Sequence, residues 1–435
     1  MQMTIEQIRS NGIVGAGGAG FPAHVKLASR PEFIIMNAVE CEPLLHKDKE
    51  ILLHHADRAL EGLRIAMALT GAAEGIIGIK ARHKTLISLL EPRLSGRMRI
   101  APVGDFYPAG DEVTLIHLVT GRLVQPGALP SSVGCIVQNV ETLYNLAADE
   151  PVTEKWLTVA GAVSNPATVK VPVGTSFRDV LSRFRITPRD FLIRSGGLMM
   201  GSVEMNPDSV VTKTTGGLIV LPEDHPCSAV YRRYAAERAT VRTAKAACDQ
   251  CSFCTELCPR YLLGHPVRPE TAMRNRMFES GGQAAFHPGN AFCCECNLCT
   301  FYSCPEGLDP RGATLIEKRA ARSKGPPWEG LPVRPHPMMA YRKVPTARLK
   351  QRLGIAVFRD EGPLIPEPLH PDRVEIPLLQ HFGKPAVPAC VKGNSVKRGS
   401  LIGRADGTVS ANVHASIDGT VTDVDPSKIV IQRHA

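Results

Sequence analysis

Nine of the thirteen cysteines in this chain fall between Cys248 and Cys304. The run "CDQCSFCTELCP" carries Cys248, Cys251, Cys254 and Cys258, the last followed by Pro259. Two-residue gaps let three thiolates converge on one cubane while the loop amides point at its sulfides. A fourth cysteine, carried away by the next turn, reaches a neighbouring cluster. The run "FCCECNLCTFYSCP" holds five cysteines, one more than a single site takes. Cys293, Cys296 and Cys299 repeat the two-residue gaps, and Cys304, before Pro305, is the remote ligand. Cys294, one residue from Cys296, is the spare. The spacing therefore assigns one [4Fe–4S] cluster to Cys248, Cys251, Cys254 and Cys304, and a second to Cys293, Cys296, Cys299 and Cys258. A pair of zinc knuckles is the alternative, but zinc sites rarely take such consecutive gaps closed by Cys-Pro. Two adjacent clusters make a one-electron wire, so whatever feeds them from a hydride donor must split electron pairs.

A second stretch with chemistry in it is "GIVGAGGAGFPAHVKL". Gly15, Gly17 and Gly20 satisfy G-x-G-x-x-G, with Glu40 about twenty residues on, the layout of a dinucleotide-binding fingerprint. The context argues against that fold. A Rossmann glycine loop follows a strand, whereas the residues before Gly15 read as a short helix and the strand comes afterwards, in "EFIIMNAVECEP".

These residues need a scaffold. With 435 residues, 43% hydrophobic and 21% charged, the chain is a multidomain globular protein. No apolar run approaches the ~18 residues of a membrane span, and no signal peptide is visible, so a cytoplasmic protein with no direct membrane insertion is expected. The net charge of +9 is not accompanied by stacking residues, aromatics being only 5%, so nucleic acid is not an expected partner. The basic stretches "VYRRYAAERATVRTAK" and "YRKVPTARLKQR" read as solvated helix faces, or else as a means of docking an acidic carrier or offsetting anionic clusters. Isolated Cys41, Cys135, Cys227 and Cys390 read as small buried hydrophobes.

Along the chain, "WLTVAGAV" and "ATVKVPV" read as strands around the turn Asn165-Pro166. "SFRDVLSRF" reads as a short helix capped by Ser176. "PETAMRNRMF" is helical. Proline-dense residues 323–375 read as an extended linker around one short helix, "PTARLKQRLG". The last sixty or so residues return to short strands. The expected architecture is α/β multidomain: 1–152 an α/β domain carrying the glycine loop, 153–225 a strand-rich module, 228–322 a helical ferredoxin-like two-cluster domain, the linker, and 376–435 a lipoyl-like sandwich. The turn "ASIDGTV" has no lysine, so that last module is expected not to be lipoylated.

Four motifs in order, "GAGGAGFPAHVKL", "NAVECEP", "YPAGDEVTLIHLVTGR" and "QNVETLYNL", spanning roughly residues 11–146, resemble the flavin-binding subunit of respiratory complex I. The forms "NAVECEP" and "YPAGDE" are more similar to the C subunit of the Rnf complex, and most similar to the cobalamin reductases of propanediol-utilisation microcompartments. The resemblance implies non-covalent FMN with NADH as substrate. Gly15, Gly17 and Gly18 would let the backbone approach the flavin, and Lys26 would neutralise its phosphate. Asn37, Gln138, Asn139 and Thr142 would hydrogen-bond the phosphate or ribityl chain. Phe21 and Tyr107 would flank the nicotinamide or adenine, while Glu40, Glu42 and Glu112 would contact ribose or carboxamide. Val39 and Cys41 depart from the complex I form "NADEGEP", and Gly110-Asp111-Glu112 from its "GEE". The resemblance further implies a β-grasp (SLBB) module at 153–225, a barrel-sandwich hybrid at the C-terminus, and a corrinoid as electron acceptor inside a bacterial microcompartment, with a shell protein as partner. The alternative is an Rnf-like subunit delivering electrons to a ferredoxin, a shell iron–sulfur protein or a membrane partner. A third reading is a ferredoxin-like adaptor that binds flavin without turnover.

Overall fold

The computed structural model describes residues 3–278, 286–322, 330 and 332–434. Thr4 opens the first helix, Ile5–Ser10, with a reciprocal capping box to Gln7. The glycine loop follows this helix, and the first strand, Phe33–Ala38, comes after the loop. The order expected from the sequence is the observed one.

Four parallel strands form the first sheet, in the order Met98–Val103, Glu74–Lys80, Phe33–Ala38 and Cys135–Asn139. Both faces are covered, so the strands are apolar on both sides. Ile34 and Met36 pack with helices Lys47–Thr70 and Val140–Ala148, and Ile35 packs on the opposite face with Leu115, Ile116 and Val119 of helix Glu112–Thr120. The first two helices touch through Gly62, where a Cβ would lie 1.9 Å from the Leu143 carbonyl oxygen. In an open parallel sheet, ligands bind beyond the carboxyl ends of the strands. Here those ends lead into Val39–Glu42, Phe106–Glu112 and Gln138–Thr142.

A second sheet, ordered Ala167–Pro172, Glu154–Gly161, Gly217–Pro222, Phe191–Ser195 and Ser202–Glu204, is antiparallel except where Glu154–Gly161 pairs with Gly217–Pro222. Its short helix, Phe177–Leu181, is capped by Ser176 as the sequence suggested. Helices Glu237–Ala247, Pro269–Met277 and Pro310–Arg322 surround the cysteine loops. The small hydrophobic cluster there holds Ala244, Ala272, Met273, Leu308 and Ala313 together with Cys304.

Part of the expected linker, 323–329 and 331, lies outside the described residues. Beyond it the chain is tied down. Val344–Pro345 pairs with Phe106–Tyr107, helix Thr346–Arg352 follows, and the Leu364 N–H donates to Glu50. The C-terminal sheets begin at Arg373, whose strand pairs with Lys428–Arg433. Cys135 and Cys227 are buried as expected, while Cys41 and Cys390 are only half-buried.

Candidate functional site

The glycine loop lies across the end of the parallel sheet. The Gly15 N–H donates to the Phe21 carbonyl, and the Ala16 N–H to the Thr142 hydroxyl (2.9 Å each). A Cβ on Gly17 would reach 3.4 Å from that of Asn139, whereas Gly18, at φ +115°, faces open space. A methyl would therefore be admitted at Gly17 and a branched chain would not.

Beneath it lies a charge network that sequence reasoning missed. Lys47 and Asp48 open the long helix, Glu141 follows Asn139, and Lys155 comes from the second sheet. All four are almost wholly buried. Lys47 contacts Asp48 at 2.6 Å and Glu141 at 3.2 Å. Lys155 pairs with Glu141 and donates to the Ala16 carbonyl at 3.0 Å. Burial opposes the Lys47 charge, but Asp48, Glu141 and Glu40 outweigh it and hold its ammonium above the usual range. Burial brings Lys155 down to about 8. Glu141 stood inside a quoted motif; Lys155 had no local signal, because its role arises only where two domains meet.

The candidate flavin residues converge here. Asn139 caps helix Val140–Ala148 and donates to Asp48 (2.7 Å). Asn37 donates to the Gly110 carbonyl (2.8 Å). Lys26, proposed for a phosphate, and Glu112, proposed for a ribose, pair with each other at 2.7 Å, and Lys26 also reaches the Val137 carbonyl. Gln138 differs from all of these: it is 3% exposed and its Nε2 has no partner. A buried unpartnered amide costs roughly 1–3 kcal/mol, so a ligand acceptor at this position fits the site.

The candidate nucleotide residues separate. Glu40 stays at the cleft, its carboxyl pushed up to about 8 by burial and by Asp48. Phe21 stacks on Phe382 of the C-terminal module, with centroids 5.8 Å apart. Two expectations need correction. Glu42 accepts from the Met199 and Met200 N–H groups (2.9 and 2.8 Å), and burial raises it to about 7. A side chain on Gly197 would strike that carboxylate. Glu42 fastens the second sheet and does not present itself to a ribose. Tyr107 is 1% exposed and donates its hydroxyl to the Cys296 carbonyl at 2.7 Å, so it flanks no nicotinamide. Both errors have one cause: motif position marks a residue's neighbourhood, and the direction of its side chain depends on the domain packed against it.

The cysteines gather in two sets. One cavity is lined by Cys248, Cys251, Cys254 and Cys304. Burial raises the Cys258 thiol, and the neighbours next in effect are Cys294 and Cys293. Burial likewise raises Cys299, with Cys293, Cys254 and Cys258 beside it. The two loops repeat one backbone. Gln250 and Ser252 flank Cys251 at φ +55° and +66°, and Glu295 and Asn297 flank Cys296 at +62° and +65°. For non-glycine residues these conformations are costly and mark a constrained turn. The repeat aligns Cys248 with Cys293, Cys251 with Cys296 and Cys254 with Cys299, and places Cys294 opposite Asp249. Among the described residues no His, Cys, Asp or Glu group is drawn tightly enough around one point for a single ion; the first set instead surrounds a space.

Residues 8–148 match the Nuo51 FMN-binding domain, 247–309 the 4Fe-4S dicluster domain, and 362–435 the RnfC barrel sandwich hybrid domain. Cobalamin reductase PduS of Salmonella typhimurium is 42% identical over 98% of this chain and 96% of its own length. The protein of the same name from Citrobacter freundii is 40% identical over the same shares. The C subunit of the Na(+)-translocating ferredoxin:NAD(+) oxidoreductase complex of Acetobacterium woodii is 32% identical over 59% of this chain and 58% of its own. Fold and site together define a flavo-iron–sulfur electron-transfer oxidoreductase, with FMN and iron–sulfur cofactors. Within that class, the chain belongs to the PduS cobalamin reductase family.

Proposed function

We propose that the chain passes electrons from NADH by way of FMN and two [4Fe–4S] clusters to a one-electron acceptor, a corrinoid. One observation carries the order of transfer. The segment Tyr107–Glu112 serves both sites: Glu112 holds Lys26 at the cleft, while Tyr107 and Asp111 hold Cys296 and Arg260 on the second cysteine set. The second set is thus the flavin-side cluster, and the first, with exposed Cys251 at its rim, is the outlet.

FMN supplies the exchange between a hydride donor and one-electron carriers. The chain's own residues bind and orient it. Gly17 and Gly18 admit the flavin, Gln138 donates to it, and Lys26, with Asn37, Asn139 and Thr142, shapes the polar wall. Glu40 and Glu112 face the nucleotide, with Phe21 at its edge. Cys248, Cys251, Cys254 and Cys304 ligate one cluster, and Cys293, Cys296, Cys299 and Cys258 the other. We assign residues 153–225 as a β-grasp (SLBB) module and the unlipoylated C-terminal module as a docking element. Among the described residues no helix is long and apolar enough to cross a membrane. A cytoplasmic site inside a microcompartment, beside a shell protein, follows from the family resemblance.

The similarity to the Acetobacterium protein supports a second reading, delivery to a ferredoxin-type acceptor. The deciding assay is anaerobic NADH oxidation by reconstituted protein with aquacobalamin or a ferredoxin as sole acceptor. Faster turnover with aquacobalamin is expected; faster turnover with the ferredoxin selects the second reading. No NADH oxidation with either overturns the proposed donor.

A further inference from the structure

The junction between the flavin cleft and the second cysteine set contains more polar chemistry than holding two domains together requires. Asp111 and Arg260 form a two-pronged ion pair, Nη1 to Oδ2 at 2.6 Å and Nη2 to Oδ1 at 2.9 Å, with both side chains largely buried. Asp111 also caps helix Glu112–Thr120 through the Thr114 N–H. Arg260 follows Cys258-Pro259, and its charge acts on Cys294 and Cys296 as well as on Asp111. Beside it, the Tyr107 hydroxyl donates to the carbonyl of Cys296.

We infer that the Asp111–Arg260 pair and the Tyr107 hydroxyl are positioning groups that set the reduction potential of the cluster held by Cys293, Cys296, Cys299 and Cys258. The inference rests on the cluster assignment proposed above. Each arriving electron adds one negative charge to a cluster. A fixed cation or hydrogen-bond donor nearby favours the reduced form and a carboxylate opposes it. In a largely buried seam both effects are screened far less by water and salt than at the surface. Asp111 therefore moderates the pull of Arg260, and the Tyr107 O–H adds to it. Other charges at this set are Lys318 and Arg311, which share Glu295, with Lys318 also donating to the Cys293 carbonyl at 2.8 Å, and Asp309 beside Cys299. They stay in place when the seam is altered. The first set has other neighbours: Glu270 lines its cavity, and Arg352 donates to the Cys304 carbonyl at 3.1 Å.

The test is an anaerobic redox titration of the full reconstituted chain, followed by low-temperature EPR. Cys251→Ser and Cys296→Ser identify which signal belongs to which cluster. Tyr107→Phe keeps the ring and removes one donor, so the second cluster's potential should fall while the first does not move. Asp111→Asn leaves Arg260 uncompensated, so the second cluster's potential should rise. Opposite shifts confined to one cluster are not what a loosened interface produces. If Asp111→Asn loses iron, Tyr107→Phe decides alone. With full iron content, an unmoved second cluster, or equal shifts in both clusters, overturns the inference. A wild-type protein with no cubane signal instead defeats the cluster assignment itself, and the inference falls with it.

Discussion

Around the glycine loop, buried charges are matched within the protein, Lys47 with Asp48 and Lys155 with Glu141, and the more exposed Lys26 is paired with Glu112. Around the cysteines charged side chains are paired as well, Arg260 with Asp111 and Lys318 with Glu295, but the thiols face one another. Burial raises the thiols of Cys254, Cys258 and Cys299, and Cys254 and Cys258 both stand beside Cys299. Thiolates so placed need a multivalent cation among them, since an uncompensated buried charge is costly. The cleft is therefore largely built by the polypeptide, which leaves the Gln138 amide for a ligand, and the cysteine segment is one completed by its cofactor. A carrier that must hold a reactive flavin gains from a rigid preformed wall. A cluster's ligands need only converge when iron and sulfide arrive.

The contrast fails most visibly if iron removal treats both regions alike. Chelation should expose the segment from Cys248 to Cys304 to protease while the parallel-sheet domain stays intact. Simultaneous cleavage of both would show that the cleft also depends on the clusters. The next largest effect comes from single ligands. Cys304→Ser should damage the same EPR signal as Cys251→Ser, and Cys258→Ser the same as Cys296→Ser, because each Cys-Pro serves the neighbouring cluster. Cys294→Ser should keep both clusters. Matching of Cys304→Ser with Cys296→Ser would mean local ligation.

On the cleft side, Gly17→Leu should weaken FMN binding by at least about tenfold, or ~1.4 kcal/mol, while Gly17→Ala should bind nearly as the parent does. Full flavin content in Gly17→Leu would remove the glycine loop from the site. The smallest expected change is Glu112→Gln. Its carboxylate is 39% exposed, and solvent screening limits such a pair to about 0.2–1 kcal/mol. NADH use should fall by less than about tenfold, with FMN content unchanged. Loss of FMN instead would show that Glu112 acts by aiming Lys26 at the flavin.

What the sequence determined by itself was whatever is local in the chain. Cysteine gaps specify which thiolates can converge, because a few residues of backbone set their reach. The absence of a strand before Gly15 excluded a Rossmann loop for the same reason, and Ser176 announced its helix through a contact three residues long. Membership of the cleft was legible too, since Gly17, Gln138, Asn139 and Thr142 lie in ordered motifs. The direction in which a side chain points was not. Tyr107 and Glu42 sit in motifs that suggest a nucleotide, yet one is claimed by the cysteine loop and the other by the Gly197–Met200 turn. Lys155 and Arg260 carried no signal, because their partners lie in other domains. A buried charge takes its meaning from whichever group packs against it, and only the tertiary structure selects that group.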